Sequence, residues 1–355
     1  MRAPGRRLRM TTIPLADQRL RSLECWLASL PGQPVLRVTP ASVDASFRRY
    51  FRVHRHDDTQ IAMDAPPAQE SIDSYLRVAR LLATTGIHVP QVLAVDVDQG
   101  FVLISDLGSL QYLEALTKGA DPEPLYADAI DALLRMQADG TGEARELPRY
   151  DHDLLRREME LFPEWFIGRH LGLEPNPDDR HAIEGAFEWL CEQALAQPVV
   201  LVHRDYHSRN LMVCPGRNPG ILDFQDAVRG PISYDLVSLL KDCYIVWPRA
   251  RLLGWLDRFR QGAQRLGLDA GKDREEFLHW FDHMGLQRHI KVLGIFARLW
   301  YRDGKPGFLA DLPRVLDYTL AVTAATPALA PFDDFLRMKV VPAFAAAARR
   351  SRMPP

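Results

Sequence analysis

Three observations predict an α+β chain in two lobes. The first 105 residues are dominated by short runs rich in β-branched and aromatic residues, with a single amphipathic helix inserted among them. A polar, glycine-containing crossing follows at residues 105–109 (SDLGS). Beyond it helical periodicity takes over, interrupted at residues 199–226 by two or three short strands around a loop. The expected division is a small antiparallel-sheet lobe at residues 1–105 and a larger, mainly helical lobe at residues 106–355 that carries a β-hairpin. The cleft of such a plan is its natural ligand site.

Residues 15–30 open the small lobe as a helix, with Leu20, Leu23, Trp26, Leu27 and Leu30 at helical spacing before a Pro31-Gly32 stop. Residues 35–38, 47–54 and 60–63 read as three strands of a meander. Residues 71–85 form the inserted helix, closed by Gly86, and residues 92–97 and 101–104 a hairpin around Asp98-Gln99-Gly100. In the large lobe, helices are predicted over residues 125–137, 153–162, 179–193, 235–244, 250–266, 274–302 and 312–325. The tail after Phe344 is expected to fray.

Composition narrows the function. The 44 basic and 46 acidic residues leave a formal net charge of −2, which gives no electrostatic case for nucleic acid or an anionic membrane surface as partner. No apolar run is long enough to span a bilayer. Four scattered cysteines without metal-ligand spacing fit reduced thiols in a cytoplasmic protein, and the basic residues 1–9 lack the apolar core of a secretory signal. Met10 is an alternative start. The basic residues are nearly all arginine, and no lysine precedes Lys118.

The chemistry concentrates between Val199 and Leu236, VVLVHRDYHSRNLMVCPGRNPGILDFQDAVRGPISYDL. An apolar strand delivers His203-Arg204-Asp205 into a polar loop, Asn210 precedes a second strand, and a Pro/Gly turn returns the chain to Asp223. Adjacent strand ends bring Asp205, Asn210 and Asp223 to one rim. Two carboxylates and an amide there are hard oxygen ligands suited to Mg²⁺ with bridging phosphates, and a carboxylate beside the metal can take a hydroxyl proton.

This stretch resembles the kinase pattern H-R-D-x-x-x-x-N followed by D-F. It departs from protein kinases after Asp223-Phe224, where Gln225-Asp226 stands and a short G-P-I-S-Y-D-L passage returns to helix without an activation segment. In this it is similar to the aminoglycoside phosphotransferase and choline kinase branch, whose members phosphorylate small molecules on a protein-kinase-like two-lobe fold. The resemblance implies Asp205 as catalytic base, Asn210 and Asp223 as Mg²⁺ ligands, ATP as donor, and Asp235 with His203 as supports of the catalytic loop. Asp235 also reads as an ordinary helix N-cap.

The small lobe lacks the usual strand lysine, because Met63 occupies roughly its place. The loop at residues 39–50 contains no glycine, so Ser42, Ser46, Phe47 and backbone N–H groups would cover the phosphates. Arg48, Arg49 and Arg52 are the candidate replacement cations, with Arg48 and Arg52 on one strand face and Arg49 on the other; each also reads as an ordinary surface charge. Glu70 has no lysine to pair with, and a first-turn acid at a helix start accounts for it more simply. Asp106 and Leu107, at the crossing, would meet adenine through backbone groups.

A wider match narrows the branch. SFRRYFR, MDAPP, LISDLG, HRDYHSRNLM and the segment from ILDFQDAV to SLLKDCY look like bacterial sugar kinases acting on the anomeric hydroxyl of N-acetylmuramate and N-acetylglucosamine in cell-wall recycling. That resemblance makes Tyr206, His207, Arg209, Gln225, Asp226 and Arg229 candidate acceptor contacts; His207 fits a structural hydrogen-bonding role equally. Trp165, Trp247, Trp300 and Tyr301 offer faces to a sugar ring or belong to the core. Two alternatives stand beside this reading: a kinase of choline, an aminoglycoside, thiamine or homoserine, and a nucleotide-binding pseudokinase.

Overall fold

A computed structural model of the chain describes residues 15–43 and 47–352. The described residues divide into two compact units. One runs to Leu76 and includes Pro90–Leu107; the other joins Arg77–Val89 to the chain from Gly108 onward.

The first unit is built on a five-stranded antiparallel sheet. Its strands are β1 (Arg37–Val43), β2 (Arg49–His54), β3 (Thr59–Asp64), β4 (Val92–Asp96) and β5 (Phe101–Ser105), in the order β1-β2-β3-β5-β4. The two-residue side-chain period puts Phe51, Val53, Ala62, Phe101 and Leu103 on one face, where Leu23, Trp26 and Leu27 of helix α1 (Leu15–Ser29) cover them. Asp64 ends β3 on that same face, fully buried. Arg19 of α1 donates Nε to its Oδ1 at 2.8 Å, and Arg49 of β2 donates Nε to its Oδ2 at 3.0 Å. A buried carboxylate is tolerable because two guanidiniums share it.

Helix α2 (Asp73–Thr84) begins two residues later than its apolar spacing predicts, because Ser71 Oγ accepts from the Asp73 N–H at 3.0 Å. The glycine-free loop also shrinks. β1 continues to Val43 with its backbone paired to Arg49, so residues 39–43 are strand.

The second unit is mainly helical: α3 (Tyr112–Thr117), α4 (Pro122–Gly140), α5 (His152–Met159), α6 (Pro177–Leu195), α7 (Tyr234–Leu240), α8 (Arg249–Arg265), α9 (Arg274–Tyr301), α10 (Leu312–Ala325), α11 (Ala330–Phe335) and α12 (Val341–Arg352). Two antiparallel pairs interrupt it. β6 (Val199–Val202) runs against β9 (Val228–Pro231), and β7 (Leu211–Met212) against β8 (Gly220–Ile221). The segment predicted to fray continues as α12 to Arg352 with Ala347 buried, and a π-helical stretch spans Phe162–Leu171. The long helix α9 passes that stretch very closely. A Cβ on Gly294 would lie 2.3 Å from the Leu161 carbonyl carbon, so only glycine fits. Among the described residues no helix is long and apolar enough to cross a membrane.

Candidate active site

The 203–210 loop leaves the end of β6, and its shape is held from three sides. Asp235, in the first turn of α7, is fully buried and accepts the His203 N–H at 2.6 Å and the Arg204 N–H at 3.0 Å. Burial pushes its carboxyl up to about 7, against the lowering effect of those two amides. Arg204 has a positive φ of 77°, a turn that points its guanidinium to Glu158 of α5, while its Nη1 reaches the Asp226 carbonyl at 3.5 Å. At the far end, Asp242 accepts from the Ser208 N–H at 3.0 Å and also takes the Ser208 hydroxyl. Its other oxygen accepts the Tyr244 N–H at 2.8 Å, which is why α7 stops at Leu240 short of the predicted residue 244.

Within this frame the motif residues converge. The Asp205 N–H donates to His203 Nδ1 at 3.2 Å, and burial lowers the His203 pKa to about 4, so that ring is a neutral acceptor. Asn210 Nδ2 donates to the Asp205 carbonyl at 3.0 Å and to Asp223 Oδ2 at 3.2 Å. Asp223 also sits at positive φ (64°), and its Oδ1 accepts from Gln225 Nε2 at 2.7 Å. Burial alone would raise the Asp205 carboxyl, but His207, Lys291, Arg288 and Arg204 together bring it below the ordinary aspartate range. His207 is itself lowered by burial and is mostly neutral at neutral pH, so the lasting cations are Lys291, Arg288 and Arg204. The result is an ionised Asp205, as a proton acceptor must be.

The donor chemistry of Asn210 and Asp223 fits a hard divalent cation. Both offer oxygen, and Asn210's amide nitrogen is committed to two acceptors, which leaves its carbonyl oxygen to face an ion.

The other candidates separate. Tyr206 is fully buried and donates its hydroxyl to the Ala129 carbonyl of α4 at 2.8 Å, so it braces the loop from inside and cannot touch an acceptor. His207 lies edge-on to Tyr244 with 5.6 Å between ring centroids, and Arg209 lies over that same ring at 3.9 Å. Gln225 is spent on Asp223, Asp226 is exposed, and Arg229 sits on β9 with a buried Nε that lacks a hydrogen-bond partner. Trp247 donates to the Tyr126 hydroxyl at 2.8 Å as part of an aromatic cluster with Trp255, while Trp300 and Tyr301 are exposed on α9.

In the first unit each candidate arginine meets a carboxylate. Arg49 serves Asp64. Arg52 donates Nε and Nη2 to Asp106 at 2.6 and 3.2 Å, and Thr59 joins them at 2.7 Å. Arg48, only 6% exposed, pairs with Glu70 at 2.5 Å. Glu70 lies in the turn before α2, not in its first helical turn, so the ion pair replaces the simpler helix-start account. Met63 is fully buried on β3 between Tyr50 and Val102, and Phe47 is exposed. Leu107 is half-buried. Ser46 lies outside the described residues, and of Ser42 only the backbone, in β1, is described. Sequence reading missed Asp242 and the α9 cations Arg288 and Lys291. Asp242 stood inside the SLLKDCY match and was recoverable there.

The chain matches the model of the phosphotransferase enzyme family over residues 37–278. It is 44% identical over 330 residues to the N-acetylmuramate/N-acetylglucosamine kinase of Pseudomonas aeruginosa, an alignment covering 90% of this chain and 96% of that one. Among solved structures, a choline/ethanolamine kinase family protein from Mesorhizobium loti superposes with a TM-score of 0.61 at 15% identity, covering 90% of this chain and 99% of that one. A spectinomycin phosphotransferase in complex with ADP and spectinomycin superposes with a TM-score of 0.57 at 12% identity, covering 89% and 97%.

Proposed function

This chain belongs to the phosphotransferase enzyme family, and from that premise we propose that it transfers the γ-phosphate of ATP to the anomeric 1-hydroxyl of N-acetylmuramate and N-acetylglucosamine. The carrying observation is the ionised Asp205 beside the Asn210–Asp223 pair, on a loop pinned by Asp235. The likeness to the N-acetylmuramate/N-acetylglucosamine kinase of Pseudomonas aeruginosa supports the acceptor class, and the ADP-bound spectinomycin phosphotransferase supports the nucleotide. The products are a sugar 1-phosphate and ADP, a reaction that suits the cytoplasmic reuse of cell-wall sugars.

In this reading Asp205 accepts a hydrogen bond from the sugar 1-hydroxyl and takes its proton as the new O–P bond forms and the bond to the ADP oxygen breaks. Asn210 and Asp223 would hold Mg²⁺, which neutralises phosphate charge when bound. Arg48, oriented by Glu70, supplies the cation that a strand lysine gives elsewhere, since a guanidinium grips phosphate through a planar fork. Ser42 at the end of β1, together with Ser46 and Phe47, would cover the phosphates, Met63 would support the adenine site from inside the sheet, and Asp106 and Leu107 would meet the base through backbone groups. Arg52 and Thr59 hold the Asp106 side chain aside for that. His207, Arg209, Asp226 and Arg229 would contact the acceptor, while Gln225 positions Asp223.

Phosphorus NMR of the purified protein with ATP, Mg²⁺ and a panel of acceptors tests the reading. A sugar 1-phosphate resonance is expected with N-acetylmuramate and N-acetylglucosamine. Turnover of choline, an aminoglycoside, thiamine or homoserine with both sugars untouched would overturn it, and no turnover of any acceptor would favour a nucleotide-binding scaffold.

A further inference from the structure

Helix α9 carries two cations one turn apart, Arg288 and Lys291, against the elements that hold the 203–210 loop. They are in different states. Lys291 Nζ donates to Glu158 at 2.9 Å and to the Tyr234 hydroxyl at 3.1 Å, and Glu158 also receives Arg204. Arg288 is more deeply enclosed, with 5% of its surface exposed, and among the described residues no carboxylate hydrogen-bonds it, although the charges of Asp205 and Asp242 act on it through space. Its Nη1 reaches Cys243 Sγ at 3.8 Å, its Nε has no hydrogen-bond partner, and among the described residues it forms no ion pair. The thiol does not compensate the charge, because burial pushes Cys243 up to about 11.

A buried guanidinium whose Nε lacks a hydrogen-bond partner still has a donor to offer, and an anion that takes it makes a charge-assisted bond. The planar fork matches a carboxylate in two parallel hydrogen bonds. The place is also informative. Cys243 follows Asp242, which pins Ser208 of the loop, and the Arg288 charge acts on Asp205. An anion received there belongs to the molecule whose hydroxyl Asp205 addresses.

We propose that Arg288 is a specificity-determining residue that receives a carboxylate carried by the acceptor, favouring an acidic amino sugar over its neutral counterpart. This rests on the sugar-kinase reading above. N-acetylmuramate differs from N-acetylglucosamine by a lactyl ether ending in such a carboxylate. The transferred phosphoryl group is the other anion of the reaction, and an Arg288 that served it would act on every acceptor alike.

The test compares kcat/KM for N-acetylmuramate, its carboxyl methyl ester and N-acetylglucosamine. With the unaltered enzyme, the ester should be about 10- to 100-fold poorer than the acid, the range a charge-assisted hydrogen bond supplies. Arg288→Gln should reduce use of N-acetylmuramate about 10- to 100-fold more than use of N-acetylglucosamine and bring acid and ester level. Arg288→Lys should fall between. Equal use of acid and ester by the unaltered enzyme would sink the proposal without any variant, and so would an Arg288→Gln protein that loses both sugars in equal proportion. If the unaltered enzyme phosphorylates both sugars but the ratio does not move, only this inference fails; if it phosphorylates neither, the sugar-kinase reading fails with it.

Discussion

Asp64 and Asp235 are both completely buried, one in each unit, and they are neutralised in opposite ways. Asp64 is clamped between the guanidiniums of Arg19 and Arg49. Asp235 accepts two backbone amides, and burial lifts its carboxyl to about 7. The contrast extends to the cations. In the first unit Arg19, Arg48, Arg49 and Arg52 each meet a carboxylate, whereas in the second Arg204 and Lys291 share Glu158 and Arg288 forms no ion pair among the described residues. Matched charges fix the sheet. Around the 203–210 loop carboxylates hold backbone in place, and the charges of Lys291, Arg288 and Arg204 keep Asp205 ionised against its burial.

The largest effect expected is on Asp205 itself. Asp205→Asn removes the proton acceptor and should lower kcat by about 10²–10⁴-fold with ATP binding nearly intact. Retained turnover would take Asp205 out of the chemistry and dissolve the contrast. Asp64→Asn should act on stability alone. It leaves two partly exposed guanidiniums facing each other, a cost of about 2–3 kcal/mol after solvent screening. The urea midpoint should fall while kcat per folded molecule holds, and a fall in kcat of the folded fraction would place Asp64 in the machinery. Arg48→Ala should raise the KM for ATP about tenfold, the size of one charge-assisted hydrogen bond, and the acceptor KM much less. Equal shifts in both would send the phosphate-binding role elsewhere.

A pH dependence isolates Asp235. Its carboxyl titrates near 7 in the fold against 3.8 in the unfolded chain, so its contribution is full below about 3.8 and is lost as pH rises through about 7. Buried His203 works the other way in the same window, since its pKa of about 4 makes stability fall as pH drops below 6.5. The measurement is therefore a difference. The stability advantage of the unaltered protein over Asp235→Asn should shrink between pH 5 and pH 8. A constant gap would mean that the carboxyl stays ionised throughout.

The 203–210 loop was legible because its parts lie close in sequence. His203 to Asp223 is a strand, a loop and a strand, and adjacent strand ends must converge. Sheet and helices were legible from their periods, apart from ends set by side chains such as Ser71 and Asp242. Long-range pairing was not. Nothing local announces that Glu70 will meet Arg48 or that Arg204 will reach Glu158 across more than forty residues. Tyr206 misled because adjacency within a motif says nothing about direction: its neighbour Asp205 turns outward while Tyr206 turns into α4. Arg288 and Lys291 were hidden for a third reason. In a 28-residue helix with three arginines and a lysine, a cation one turn from another is unremarkable until its burial is known.

Gly294 gives the last of these an unexpected author. It sits six residues beyond Arg288 on the same helix, where α9 lies against the Leu161 backbone. A methyl group there must push on a main chain that has no room to yield, and a helix moves as a rod. Gly294→Ala would therefore displace the guanidinium nearly two turns away, and with it, on the proposals above, the preference between the two sugars. Substrate preference in this protein would then be adjustable from a position that bears no side chain and touches no substrate.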